Sequence, residues 1–416
     1  MRVIVAPAGS RGDFQPLLAL SIALQRARHE VVMVAAPNFA READAFGVPA
    51  KGLGLDTEAY VRGGGFVGGP ARGSLKLMEL GRELVAESIE QMLPLAERAD
   101  LIIGAGAQIV GPTVAEKLGA RYLYVGYTPQ VLRSRHHSPI TTPFVGLPQV
   151  ANRLLWWAFE WAVRLSFGPP LNRKRRELGL EPVRDFLEHI MPARRSVVAA
   201  DPELAAVSPD LALAHPLLGS LHLSDERPLP AALETFLSSG EPPVYVGFGS
   251  MPDGRPEATV HLVIEAVRRA GRRLLLSAGW AGFGGVTEGA TLLADDVMAI
   301  GPTSHALLFP RVAAVVHHGG AGTTSAALRS GRPQLVVPHL FDQFQWARWV
   351  EGAGVGPSPI PRGRLSSSRL GAALAELLGQ PRFAQRAEEL GHRVRARDPA
   401  AQFVAFLERF LDPARA

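Results

Sequence analysis

The stretch that most constrains this chain runs from Val312 to Leu328. Val312-Ala313-Ala314-Val315-Val316 is an apolar run of strand length and reads as a strand buried on both faces. A turn of His317, His318 and glycines follows. Thr323-Thr324-Ser325-Ala326-Ala327-Leu328 then has helix-forming composition, with Gly331 as its stop. A strand that breaks at glycines and opens a helix makes a cradle for an anion. Gly320 and Gly322 let the backbone approach a ligand, and the first N–H groups of the helix have no acceptor within it. The hydroxyls of Thr323 and Thr324 add donors, and His318 adds a side-chain donor that can carry positive charge. Glycines alone would indicate only a tight turn. Histidines, glycines and threonines together indicate phosphate binding.

A length of 416 residues suggests two domains. With no cysteine, disulfides and thiolate-held metals are excluded, which fits a cytoplasmic protein. The 44 basic and 39 acidic residues leave a formal charge of +5. The single short basic cluster, Arg173-Lys174-Arg175-Arg176, is not the concentrated stripe that a nucleic-acid partner requires. Met1-Arg2 leads directly into Val3-Ile4-Val5-Ala6, a first strand rather than a signal peptide. The longest apolar stretch, Leu154 to Phe167, contains Glu160 and Arg164 and is too short to cross a membrane.

Val3–Ala6, a helix through Leu17, Leu20 and Leu24, and the strand Val31–Val34 form a βαβ unit, whose ligands gather at the carboxyl ends of the strands. Gly9-Ser10-Arg11-Gly12-Asp13 occupies that position after the first strand. Asp13 can cap the following helix or accept a proton from a hydroxyl; on the residues alone the two readings stand level. Gly63-Gly64-Gly65, Gly68-Gly69 and Gly73 make a loop that is either a plain connection or a lid, followed by a helix from Ser74 to Leu95. His136 and His137 are adjacent, without nearby carboxylates, and do not make a metal site. Trp157 and Trp161 share one face of a helix, as a core stripe or as the wall of an apolar pocket. With the basic cluster that follows, weak contact with a membrane surface is a further reading. The second half repeats the opening: strand Val244–Phe248, loop Gly249-Ser250-Met251, helix Thr259–Arg269 and strand Arg273–Ser277. Ser250 offers a further donor there.

The ordered set Asp296 to Pro302, Ser304 to Pro310, the His-Gly cradle, Gly331-Arg332-Pro333, Pro338 and Asp342-Gln343 resembles the donor signature of a known family. These are the inverting, nucleotide-sugar-dependent glycosyltransferases of the GT-B type. Bacterial glycopeptide and macrolide glycosyltransferases and sterol 3-β-glucosyltransferases are the branches it looks most like. The resemblance implies an α/β fold of two facing Rossmann-like domains with a cleft between them and a carboxyl-terminal helix crossing back. The expected divisions are an acceptor domain at 1–215, a proline-rich linker at 216–243, a nucleotide-sugar domain at 244–385 and terminal helices at 386–416.

The roles implied for the donor side are diphosphate binding by Ser250, His318, Gly320, Gly322 and Thr323, base binding by Thr303 and Ser304, and sugar binding by Asp342 and Gln343. Trp280 joins them through an Ala278-Gly279-Trp280 run similar to that of the sterol branch. Asp13 stands where the plant branch carries a general-base histidine, and the resemblance favours that role. Phe14, His136 and Trp157 are the expected acceptor contacts. The implied reaction moves a hexose, glucose, from UDP-glucose to a small hydrophobic acceptor, with no metal and no cofactor beyond a UDP- or dTDP-sugar co-substrate. Alternatives are an epimerase or hydrolase on the same scaffold, a non-catalytic nucleotide-sugar-binding partner protein and, weakest, a nicotinamide-dependent oxidoreductase.

Overall fold

Six runs of the first half become one sheet in a computed structural model of the chain. They are β1 (Arg2–Ala8), β2 (Glu30–Ala35), β3 (Ala50–Gly52), β4 (Leu101–Gly106), β5 (Arg121–Gly126) and β6 (Ser196–Val198), in the order β3-β2-β1-β4-β5-β6. Every pairing is parallel. The central strands are apolar on both faces because helices cover both: Val3, Ile4, Val5, Leu101, Ile102 and Ile103 are all buried. The structure describes residues 1–56, 59, 70–213, 217–223, 228–249, 251, 253–279 and 289–411, with the backbone alone over 70–78.

The second sheet contains β7 (Val244–Gly247), β8 (Leu274–Ser277), β9 (Ala290–Ala294), β10 (Val297–Ile300), β11 (Ala314–His317) and β12 (Gln334–Val336). Its order is β12-β11-β7-β8-β10-β9, parallel except for the antiparallel edge strand β9. Strand β9 escapes a search for buried runs because Leu292 and Leu293 face outward.

Each sheet has one topological switch point. The chain leaves β1 for β2 on one side, while β4 lies on the other; it leaves β7 for β8, while β11 lies on the other. Loops diverge there, so the carboxyl ends of the two strands frame a crevice. Register puts Ala8 opposite Gly106 in the first sheet and Gly247 opposite His317 in the second. Asp13 follows β1, the first strand of its sheet, whereas His318 follows β11, the strand across the switch point from β7.

Two compact units result: Met1–Pro202, Ala206–Leu223 and Asp398–Ala416 in one, Glu203–Ala205 and Ser224–Arg397 in the other. The passage from one to the other lies inside the proline-rich 216–243 segment but does not fill it. Leu233, Phe236 and Leu237 bring the Ala231–Ser238 helix into the core of the second unit with Tyr245 and Leu275. The Pro381–Arg395 helix also stays with the second unit. Only the last helix, Pro399–Leu411, joins the first, burying Phe403, Phe406 and Leu407 and packing against the Arg11–Arg26 helix. The helix expected from Ser74 already starts at Pro70, taking in Gly73. Gly63 to Gly69, the expected lid, lie outside the described residues.

The cradle helix, Ala321–Arg329, is backed by the Pro381–Arg395 helix at Gly391. A β-carbon on Gly391 would fall 2.6 Å from Leu328 O and 2.9 Å from Gly331 Cα. Gly391→Ala should force the helices apart and cost about 1–3 kcal/mol, as overpacking does. Thermal unfolding reads this as a lowered midpoint; an unchanged midpoint would show that the contact is loose.

Candidate active site

In the first unit, Ser10 is the N-cap of the Arg11–Arg26 helix and Asp13 its third residue. The two form a reciprocal capping box: Gly12 N–H donates to Ser10 Oγ at 3.3 Å, and Ser10 N–H donates to Asp13 Oδ2 at 2.8 Å. Ser10 Oγ–H also donates to Oδ2, at 3.2 Å. Both Ser10 donors reach Oδ2; the other oxygen, Oδ1, faces Gly106. Glycine is required around it. Gly106 has φ +65°, and a β-carbon there would overlap Ala8 O and lie 2.8 Å from Oδ1. The Tyr127 hydroxyl holds the Asp13 backbone carbonyl at 2.7 Å. Burial is the largest influence on the Asp13 carboxyl and outweighs the Ser10 donors, raising its pKa to about 6. Asp13 is thus at once part of a helix cap and a carboxylate tuned toward neutral pH.

In the second unit, β11 ends at His317 and Gly320 is the N-cap of the Ala321–Arg329 helix, with no side chain capping it. The first backbone bond of the helix is Thr324 N–H to Gly320 O at 2.9 Å, so the N–H groups of Ala321, Gly322 and Thr323 have no acceptor within the helix. The Thr324 hydroxyl bonds back to Gly320 O at 2.9 Å and is not available to a ligand; Thr323 remains half-exposed beside Gly322. Gly319 takes φ +90° because a β-carbon would strike Val336.

His317 stiffens the turn. Its Nδ1 accepts from Gly319 N–H at 3.0 Å, which leaves Nε2–H to donate to Gln334 Oε1 at 2.9 Å. The His318 ring lies between Gly249, which follows β7, and Gly320; a β-carbon on Gly249 would sit 2.9 Å from its Cε1. His318 Nδ1 is buried, with no hydrogen-bond partner among the described residues. A buried polar atom of that kind is free to take a ligand's hydrogen bond. His318 can carry positive charge, but its surroundings oppose it. Burial, then His317, His339 and His305, hold its pKa well below the usual range, so the ring is neutral in the unliganded chain. His317 and His339 are likewise pushed down to about 4 by burial.

The other expected donor residues are placed as follows. Thr303 and Ser304 lie in the loop after β10, on the same carboxyl edge of the sheet, with Thr303 Oγ1–H donating to Gly301 O at 2.9 Å. Asp342 is the N-cap of the Gln343–Gly352 helix, and its Oδ2 accepts from Trp346 Nε1–H at 3.0 Å. Gln343 is buried and turned inward: its amide oxygen accepts from His339 N–H at 2.8 Å and Leu340 N–H at 3.1 Å, and its nitrogen meets Met251 Sδ at 3.2 Å. It fixes the loop rather than pointing from it. Ser250 and Trp280 lie outside the described residues.

The acceptor expectations divide. Phe14 is a core residue, buried and stacked at 4.7 Å on Phe39 of the Pro37–Ala45 helix. His136 is exposed and caps Ser134 through its backbone N–H at 3.0 Å. Trp157 is exposed and stacks on Trp161. Sequence reading missed Ser10 as the partner of Asp13, for which the Ser-x-x-Asp spacing was the signal, and missed His339 and Gln334, which no local pattern marks.

With this geometry in place, comparison with known proteins is decisive. Residues 3–134 match the glycosyltransferase family 28 N-terminal domain, and residues 286–409 match the erythromycin biosynthesis protein CIII-like C-terminal domain. The chain is 36% identical to the vancomycin aglycone glucosyltransferase of Amycolatopsis orientalis, over 91% of this chain and 90% of that protein. The chain belongs to the GT-B glycosyltransferases. It is a nucleotide-sugar glycosyltransferase. A sterol 3-beta-glucosyltransferase of Arabidopsis thaliana is 29% identical over 99% of this chain and 68% of its own length. The solved structure of the glycosyltransferase VinC in complex with dTDP shares the fold, at TM-score 0.67 and 20% identity, covering 98% of this chain and 99% of that one. Within this glycosyltransferase, both switch-point loops carry side chains that the core packing does not require.

The raised Asp13 pKa has a stability signature. A carboxyl whose folded pKa exceeds its unfolded one favours folding fully below about pH 4, and that contribution is lost as pH rises through about 6. Asp13→Asn keeps the cap and removes the ionisation. The melting temperature of the wild type should fall relative to that of Asp13→Asn between about pH 4 and pH 6. A constant gap would contradict the raised pKa.

Proposed function

We propose that this glycosyltransferase moves glucose from UDP-glucose to a hydroxyl of a small hydrophobic acceptor, a natural product or sterol, with inversion at the anomeric carbon. The reading is carried by the unpartnered Nδ1 of buried His318 beside the bare mouth of the Ala321–Arg329 helix. Three backbone donors and one ring nitrogen suit a diphosphate. A bound diphosphate would raise the His318 pKa again, since an adjacent anion favours the protonated ring.

In the proposed step the acceptor O–H bond is broken by Asp13, which takes the proton on Oδ1. The acceptor oxygen attacks the anomeric carbon from the face opposite the diphosphate. The bond from that carbon to the phosphate oxygen breaks, and the electron pair leaves with the diphosphate. Charge develops on that oxygen, where the Gly322 and Thr323 N–H groups and His318 receive it. A fixed donor in a water-excluded site contributes about 3 kcal/mol to such a barrier. No metal takes part in this scheme. The loop after β10, with Thr303 and Ser304, would hold the base. Asp342 would face the sugar, and Gln343 would fix the loop that carries Asp342. Glucose as the sugar is supported by the glucosyl transfer named for the relatives reported above.

Asp13→Asn should lower turnover at least about a hundredfold while the dissociation constant of the donor, measured by calorimetry, stays near wild type. In the wild type, kcat/KM should fall as pH drops below about 6, where Asp13 gains its proton. Preserved turnover in Asp13→Asn would place the base elsewhere.

A further inference from the structure

One face of the Gln149–Glu177 helix has no role in the packing of the first unit. Asn152, Trp156 and Phe167 turn inward, and Trp156 Nε1–H donates to His137 O at 2.9 Å. On the opposite side Val150, Leu154, Trp157, Trp161 and Leu165 recur at helical spacing and line one stripe. These five are between 54% and 70% exposed. Trp157 and Trp161 stack with centroids 6.5 Å apart and planes 17° from parallel. A helix that is apolar on both sides is ordinarily covered on both. This one is covered on one.

The charges beside the stripe indicate what covers the other. Between Gln149 and Gly168 the sole acidic residue is Glu160, and it is bound to Arg133 at 2.9 Å. Arg153 and Arg164 are exposed and make no ion pair among the described residues. Eleven residues apart, they share one margin of the stripe. The face is therefore an apolar strip with two indoles and an edge on which Arg153 and Arg164 outnumber Glu160, whose partner Arg133 is shared with Asp185 at 3.0 Å. A second copy docked antiparallel, across a two-fold axis perpendicular to the helix, would bring those arginines together. An anionic bilayer supplies the counter-charge and a site for indoles at its headgroup boundary.

We propose that this face rests on an anionic lipid surface. The helix lies in the plane of the interface, with the stripe seated at the boundary between headgroups and acyl chains and Arg153 and Arg164 against lipid phosphates. The stripe is about 22 Å long at the rise of an α-helix. Among the described residues no helix is long and apolar enough to cross a membrane, so the contact is with one leaflet.

The test uses the full chain with sucrose-loaded phosphatidylcholine vesicles, with and without phosphatidylglycerol. Sedimentation with the anionic vesicles should exceed that with neutral ones by at least about tenfold and fall with added salt. Leu154→Glu/Leu165→Glu should abolish it, and Arg153→Ser/Arg164→Ser should weaken it and remove most of the salt dependence. Acyl-brominated lipids should quench part of the indole emission of the unmutated protein, a readout that needs no variant to fold. The proposal is overturned if the chain stays in the supernatant with anionic vesicles, if the glutamate variant sediments unchanged, or if brominated lipid leaves the emission intact. A concentration-dependent dimer that the glutamate variant abolishes would assign the face to self-association instead and overturn it too.

Discussion

Peptide N–H groups without partners at the start of one short helix set the terms for the second unit. The helix dipole and the open amides of Ala321, Gly322 and Thr323 create a positive field with no side chain to quench it. The surroundings preserve that state. Gly320 cannot cap the helix as serine or aspartate would, Thr324 turns its hydroxyl back to Gly320 O, and His317 is fixed by Gly319 and Gln334. Burial keeps the neighbouring histidines neutral.

The first unit uses its own switch point, at the end of β1, for the opposite chemistry. There a carboxylate sits at the start of a helix, where the dipole and the Ser10 donors favour its charged form. Burial disfavours that form by more, and the balance leaves Asp13 ionising near pH 6. A carboxyl balanced in this way accepts a proton more readily than an exposed one and is still largely ionised at neutral pH. Gly9 and Gly106 make the arrangement possible by leaving room for the carboxylate.

Much of this was legible in the chain. The strand of β11 could be read from its unbroken apolar run, and the cradle from the glycines that interrupt it, because both signals are local. The alternative between cap and base for Asp13 was posed too sharply, since Ser10 is the N-cap and Asp13 completes the box from the third position. What could not be read depends on contacts distant in sequence. Gln343 turns inward because His339, Leu340 and Met251 surround it. The neutrality of His318 comes from loops after β7, β10 and β12 that bury it. Trp156 and Trp157 are adjacent in a helix apolar all round, so periodicity alone gave no means of deciding which is buried.

The most direct test of the account is amide and imidazole NMR of the nitrogen-15-labelled chain during titration with UDP. The account predicts that the largest shifts fall on the amides of Ala321, Gly322 and Thr323, and that the His318 ring nitrogens move toward the protonated form as the diphosphate binds. Saturable binding of UDP that leaves those amides and that ring unperturbed would contradict it.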